Sequence, residues 1–235
     1  MSGGAQRYRE RLYRHEYKYL LDPTLEGLLR LKAGAVLRPD PHVRGDGSYL
    51  IRSVYFDDAT DRCLAENLSG TDPRSKYRVR YYNDDPSRIS LEKKSKVRGL
   101  CRKEACLLSR EECKQLLKGA VPKAEEGMDP VKQKLLTELL CAGMHPVVIV
   151  TYERIPFVYS GGNVRVTFDR KLTASRDLNR FLTGDYLQRP VLPLGQSLLE
   201  VKWDEVFPLH IRETLQTEHL QWTAFSKYAI CRTCD

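Results

Sequence analysis

Apolar and charged residues alternate one for one over much of the chain. In KYRVRYYN (76–83), Lys76, Arg78 and Arg80 fall on one side of an extended backbone and Tyr77, Val79 and Tyr81 on the other. The same period recurs in RHEYKYLL, SLEKKSK, VTYER, NVRVTFDRK and LLEVKWD. It predicts strands near 13–21, 49–57, 75–83, 88–96, 100–108, 146–154, 155–160, 163–171 and 197–204. NDDPS and SGGN carry hairpin-turn residues, so the sheet should be antiparallel.

Helices interrupt the strands. DPTLEGLLRLKAGA opens with Asp22 as N-cap and Pro23 at the first helical position. SREECKQLLKGA starts with a Ser109/Glu112 capping box and stops at Gly119, and DPVKQKLLTELLCAG runs from Asp129 and Pro130 to Gly143. PLHIRETLQTEHL predicts a fourth helix and TAFSKYAICR a short fifth, with loops at 120–128 and 184–196. No repeat or long linker divides the chain, which makes one α+β domain the economical expectation.

The charged faces are the unusual feature. Arg14, Glu16 and Lys18 share a side, as do Glu92 and Lys94, Tyr152 and Arg154, and Glu200, Lys202 and Asp204. Arg165, Thr167, Asp169 and Lys171 form another such set, while the opposite faces are apolar or aromatic. Cations ~7 Å apart on one strand repel by about 2 kcal/mol at an effective dielectric of ~20. Two architectures fit. An open sheet could show its basic face to solvent, or roughly eight strands could close into a barrel with charges inside and helices outside. Unpaired buried charges are not tolerated, so a lumen with about ten Lys and Arg needs a polyanion, solvent or both. Arg offers forked donors to phosphate oxygens and Lys a movable charge. Glutamates among them suit Mg²⁺ or Mn²⁺ held by few carboxylates plus substrate phosphates.

The net charge of +8 and pI of about 9.1 also favour an anionic partner. Nucleic acid is disfavoured, because readers of single strands interleave aromatics with the cations, whereas here they lie on opposite faces. Seven scattered cysteines, with one CxxC at Cys231 and Cys234, predict reduced thiols and no zinc site. The five histidines are isolated. No Walker A or kinase glycine loop is present. The N-terminus has no signal-like apolar region and no stretch reaches the ~18 apolar residues of a membrane span, so the expected location is the cytoplasm.

The ordered set RHEYKYLL, SVYFDD, KYRVRYYN, SLEKKSK, VTYERIPF, NVRVTFDRKL, LLEVKWD and FSKYAICR resembles the VTC-type polyphosphate polymerase domain, in its stand-alone bacterial form. That domain belongs to the triphosphate tunnel metalloenzyme superfamily. The resemblance covers about residues 10–232, leaving 1–9 as a flexible N-terminus, and the chain shows no counterpart of the SPX domain and membrane helices of the eukaryotic complex. It implies an antiparallel closed β-barrel tunnel with helices packed outside. The implied chemistry transfers the ATP γ-phosphoryl group to a growing polyphosphate chain, or to pyrophosphate as a primer, with Mn²⁺ or Mg²⁺. The implied catalytic cations are Lys18, Arg78, Arg80, Lys94, Lys103, Arg154, Arg165 and Lys227. Tyr152, Ser226 and Lys202 would help to bind substrate, and Glu200 would bind metal. Asp169 is a second metal candidate or a counter-ion for Arg165 or another lumen cation. Glu16 is similar to a residue of the ExExK strand of tunnel triphosphatases, which keeps water open as an acceptor. The competing functions are a tunnel tripolyphosphatase or nucleoside triphosphatase, and a non-catalytic polyphosphate binder. Lys76, Arg14 and Lys171 are expected at the rim or in solvent, and Trp203 and Trp222 between helices and the barrel exterior.

Overall fold

The computed structural model of the protein describes residues 13–123 and 125–234. The expected flexibility of residues 1–9 lies outside the described residues. Three helices start where their caps predict. Asp22 accepts from the Leu25 amide ahead of α1 (Pro23–Val36), and Ser109 and Glu112 form the capping box of α3 (Arg110–Leu117). Asp129 accepts from Lys132 ahead of α4 (Pro130–Cys141). The two C-terminal helices are short, α5 (Leu209–Leu215) and α6 (Lys227–Thr233).

One helix has no signal in its own cap. Before α2 (Arg62–Leu68), Asp61 sits in the left-handed region and its side chain does not cap. The orphan amides of Cys63 and Leu64 are satisfied instead by the Asp57 carboxylate at 2.8 and 3.0 Å, from the preceding strand.

The strands are β1 (His15–Leu21), β2 (Arg38–Pro39), β3 (Tyr49–Asp57), β4 (Arg74–Tyr82) and β5 (Asp85–Val97). The others are β6 (Leu100–Leu108), β7 (His145–Tyr159), β8 (Val164–Ser175), β9 (Arg189–Pro190) and β10 (Ser197–Trp203). The segments expected at 146–154 and 155–160 are one strand, β7. Pro156 does not break it, and its carbonyl accepts from the Asp40 amide at 3.1 Å. All pairings are antiparallel, in the order β1-β10-β8-β7-β3-β4-β5-β6, with β2 beside β7 and β9 beside β8.

The sheet curls but does not close, which corrects the expected closed barrel. Among the described residues its two ends meet in an isolated bridge between Arg14, just before β1, and Cys101 of β6, with backbone bonds of 2.9 and 3.0 Å. The physical reason lies further along β1. The Thr223 amide donates to the Lys18 carbonyl at 2.9 Å and Tyr19 bridges to Trp222. The C-terminal segment thus occupies backbone groups that β6 would need for a continuous ladder.

Helices and apolar side chains pack on the convex face in two clusters. One joins Val79, Tyr81, Ile89 and Leu91 to α3 and α4 through Leu116, Leu135 and Leu139. The other joins Leu199, Val201, Val166 and Phe168 to α1 and α5 through Leu29, Ala33, Ile211 and Leu215. α6 (Lys227–Thr233) sends side chains inward from the C-terminal segment. Its Lys227 and Tyr228 line the concave side, where Tyr228 stacks on Tyr55 at 5.1 Å. All seven cysteines are unbonded. Among the described residues no helix is long and apolar enough to cross a membrane.

Candidate functional site

The concave face encloses a cavity of about 380 Å³. Strand alternation aims the side chains into it. β4 supplies Lys76, Arg78 and Arg80, and β5 and β6 supply Lys94 and Lys103. β1 supplies Glu16 and Lys18, β10 Glu200 and Lys202, β8 Arg165, and β7 Tyr152 and Arg154. Ser226, the N-cap of α6, and Lys227 enter from the C-terminal segment. A smaller cavity of about 80 Å³ shares Glu16, Lys18, Lys76, Lys94 and Ser226 and is also lined by Arg74, Lys96 and Trp222.

Four carboxylates hold this cationic wall together. Glu92 is bound by Arg78 Nε at 2.7 Å and Nη2 at 2.6 Å, and by Lys103 Nζ at 3.0 Å. Glu16 takes Lys94 on both oxygens at 2.6 Å, with Lys18 and Lys202 each at 3.3 Å. Glu200 accepts from Lys227 at 2.5 Å and Lys202 at 2.9 Å, and Arg154 lies 3.4 Å away. Asp169 is fully buried behind the wall, paired with Arg154 through two bonds of 2.6 Å and with Lys227 at 2.5 Å.

The sequence matches the VTC domain family over residues 13–234. The chain belongs to that family. No curated protein matches it. Among solved structures it is similar to a Bacillus halodurans protein provisionally described as an adenylate cyclase, at 16% identity and a TM-score of 0.49, over 87% of this chain and 88% of that one. It is also similar to the PH1819 protein of Pyrococcus horikoshii OT3, at 13% identity and a TM-score of 0.47, over 93% and 97% of the two chains.

The VTC domain brings together the basic residues that the resemblance implied for catalysis and substrate binding. Lys18, Arg78, Arg80, Lys94, Lys103, Arg154, Arg165, Lys202 and Lys227 all line the cavity. Arg165 is held at the rim by Asp40 at 2.9 Å and by the Tyr49 hydroxyl at 2.6 Å. Asp169 pairs with Arg154 and Lys227 rather than with Arg165, because Arg154 is its direct partner on β7. Lys171 leaves the shared face, since a register shift opposite Thr151–Glu153 turns it outward to Glu153 at 3.0 Å.

Two expectations for other residues need correction. Lys76 is not confined to the rim but lines both cavities. Trp222 does not pack a helix. It is more than half exposed, against Tyr17, and lines the smaller cavity. Glu92 was missed as a site residue. Its place between Ser90 and Lys94 on one face was legible, but its pairing with Arg78 across the β4–β5 hairpin was not.

Burial opposes ionisation of all four carboxylates, and the neighbouring cations override it. Lys94, Lys202 and Lys18 hold Glu16 well below the ordinary carboxylate value, and Lys202, Lys227, Lys18 and Arg154 do so for Glu200. Arg78, Arg80 and Lys103 lower Glu92, and Arg154 and Lys227 lower Asp169. Depressed values mean that the stability they contribute is fully present above the unfolded carboxylate range near pH ~4 and is lost as pH falls through the folded values. Urea midpoints measured across pH should therefore be flat near neutrality and fall steeply below about pH 4. A midpoint unchanged down to pH ~2 would contradict this charge network.

Proposed function

We propose that this VTC domain is an ATP:polyphosphate phosphotransferase that works inside the cationic cavity. The supporting observation is the charge imbalance. Among the described residues, twelve lysine and arginine side chains line a cavity of about 380 Å³, against Glu16 and Glu200 on the wall. Glu92 and Asp169 behind the wall, and Asp40, Glu104 and Asp204 near its edge, still leave the cations in excess. A multiply charged phosphate chain matches that excess.

Phosphoryl transfer asks for positioning and for stabilisation of the charge on the phosphoryl oxygens, and a wall of lysines and arginines is suited to both. Arg78, Arg80, Arg154 and Arg165 grip the triphosphate, while Lys18, Lys94, Lys103 and Lys227 guide the acceptor chain. An already ionised terminal oxygen of polyphosphate or pyrophosphate attacks the γ-phosphorus in line. The bond to the β,γ-bridging oxygen breaks and ADP leaves, so no general base is required. Tyr152 and Ser226 add neutral hydroxyls, and Lys202 keeps Glu200 ionised.

The donor set fits a hard divalent cation. Glu16 and Glu200 lie side by side, both within reach of Lys18 and Lys202. Among the described residues no group of three His, Cys, Asp or Glu forms a metal cage. One or two carboxylates with substrate oxygens completing the shell is how Mg²⁺ or Mn²⁺ is held. Glu200, with Glu16 beside it, would hold the ion, which when bound neutralises charge on the transferring phosphates. Asp169 then acts as the inner counter-ion of Arg154 and Lys227.

Glu16 beside Glu200 also supports hydrolysis as the second reading, with water as acceptor. Incubation with ATP, Mn²⁺ and pyrophosphate followed by a polyphosphate gel decides between them. A ladder of polymer is expected, whereas orthophosphate without polymer indicates the hydrolase. Glu200→Ala should lose polymer formation, and a yield equal to wild type would remove Glu200 from the metal site.

A further inference from the structure

Lys76 differs from the other cations of the cavity wall. Among the described residues lining the main cavity, it is the lysine or arginine without a carboxylate within ion-pair distance. Among the described residues its Nζ has one polar partner, the Ser226 hydroxyl at 2.9 Å, and it lies 6.0 Å from the Tyr228 ring.

Its surroundings explain the isolation. Arg74 and Arg78 flank it on β4, and Lys94, with Lys96 beyond, stands opposite on β5. β1 contributes Lys18 and Glu16, but both Glu16 oxygens are taken by Lys94. β6 contributes Cys101, α2 the uncharged Asn67, and α6 Lys227 and Tyr228. Burial first, then Lys18, Lys94 and Arg74, push the Lys76 ammonium well below the ordinary lysine value, with Glu16 opposing.

We propose that Lys76 is a proton-linked contact for the phosphate chain, taking up a proton when a polyanion fills the cavity. This rests on the cavity binding polyphosphate, as proposed above. On binding, Nζ takes a proton from solvent and the new ammonium donates to phosphate oxygens. Its position where the two cavities share a wall places that contact at the junction between them. Proton uptake on binding makes affinity fall as pH rises between the Lys76 values of the empty and filled states, by at most about tenfold per pH unit for one proton.

The test is calorimetric titration of the full chain with tripolyphosphate, without nucleotide or metal, at pH ~8 in two buffers of different ionisation enthalpy. The slope of apparent enthalpy against buffer ionisation enthalpy counts protons taken up. Wild type should take up more protons than Lys76→Met, by at most one, and the ligand's own titration cancels in the comparison. Lys76→Arg, whose guanidinium stays charged, should bind with the low proton count of the methionine variant and with affinity at or above wild type. It also serves should the methionine variant fail to fold. Equal proton counts in wild type and in either folded variant overturn the proton linkage while leaving the polyphosphate site standing. No tripolyphosphate binding by wild type overturns the site, and the proton linkage with it.

Discussion

Arg80→Ala should lower polymer synthesis by about 10²–10³-fold, the effect of removing a preorganised donor from a developing anion. Arg80 is 4% exposed, and its direct hydrogen-bond partners are neutral. Nε donates to Ser53 Oγ at 2.9 Å and Nη2 to the Tyr152 hydroxyl at 3.1 Å, while Glu92 is 3.9 Å away. Arg78 next to it spends its charge on Glu92 at 2.6 Å. Arg80 therefore carries positive charge into the cavity with little internal neutralisation. The fold should survive its loss, because the groups left behind are hydroxyls, at a cost of about 1–3 kcal/mol. Arg80→Lys should recover part of the rate, keeping the charge but not the planar fork. The measurement is the initial rate of polymer formation at saturating ATP, alongside a urea midpoint. A folded alanine variant working at the wild-type rate would remove Arg80 from the phosphate clamp.

Arg154→Met should be the most destabilising single change in the cavity, by about 3–5 kcal/mol, because it leaves uncompensated buried charge. Arg154 pairs with fully buried Asp169 through two bonds of 2.6 Å and approaches Glu200 at 3.4 Å. Without it Asp169 is left with Lys227, which it shares with Glu200. Adding Asp169→Asn removes one of them, so the double variant should regain part of the stability. Urea unfolding of the wild type, both single variants and the double variant gives the coupling. If the Arg154→Met midpoint shifts by the equivalent of less than about 1 kcal/mol, the buried network contributes little. Acid unfolding of Arg154→Met should begin at higher pH than in wild type, since Asp169 and Glu200 lose a cation that lowers both.

The side-chain period alone was enough to place Lys18, Arg78, Arg80, Lys94, Arg154 and Glu200 on one surface, because a pleated strand alternates faces whatever its partners are. It was also enough to send Tyr77, Val79 and Tyr81 the other way, where Tyr77 meets Glu138 of α4 and Val79 packs in the core. Local caps likewise marked α1, α3 and α4. The helix α2 was not legible, because its amides are satisfied by Asp57 in the strand before it rather than by a residue at its own start.

Pairing across strands decided the rest. Whether β1 and β6 zip together depends on backbone groups, to which the side-chain pattern is blind, and those groups went in part to Thr223 and Trp222. Which cation found a carboxylate depended on register and on α6 entering the concave face. That is why Glu92 holds Arg78, Asp169 holds Arg154 and Lys227, and Lys76, identical in pattern to its neighbours, was left with a hydroxyl. The sequence by itself determined a face rich in lysine and arginine. The tertiary structure decided which of those charges are already neutralised, because Coulomb energy in a buried site is set by distances of a few ångströms that no spacing along the chain contains.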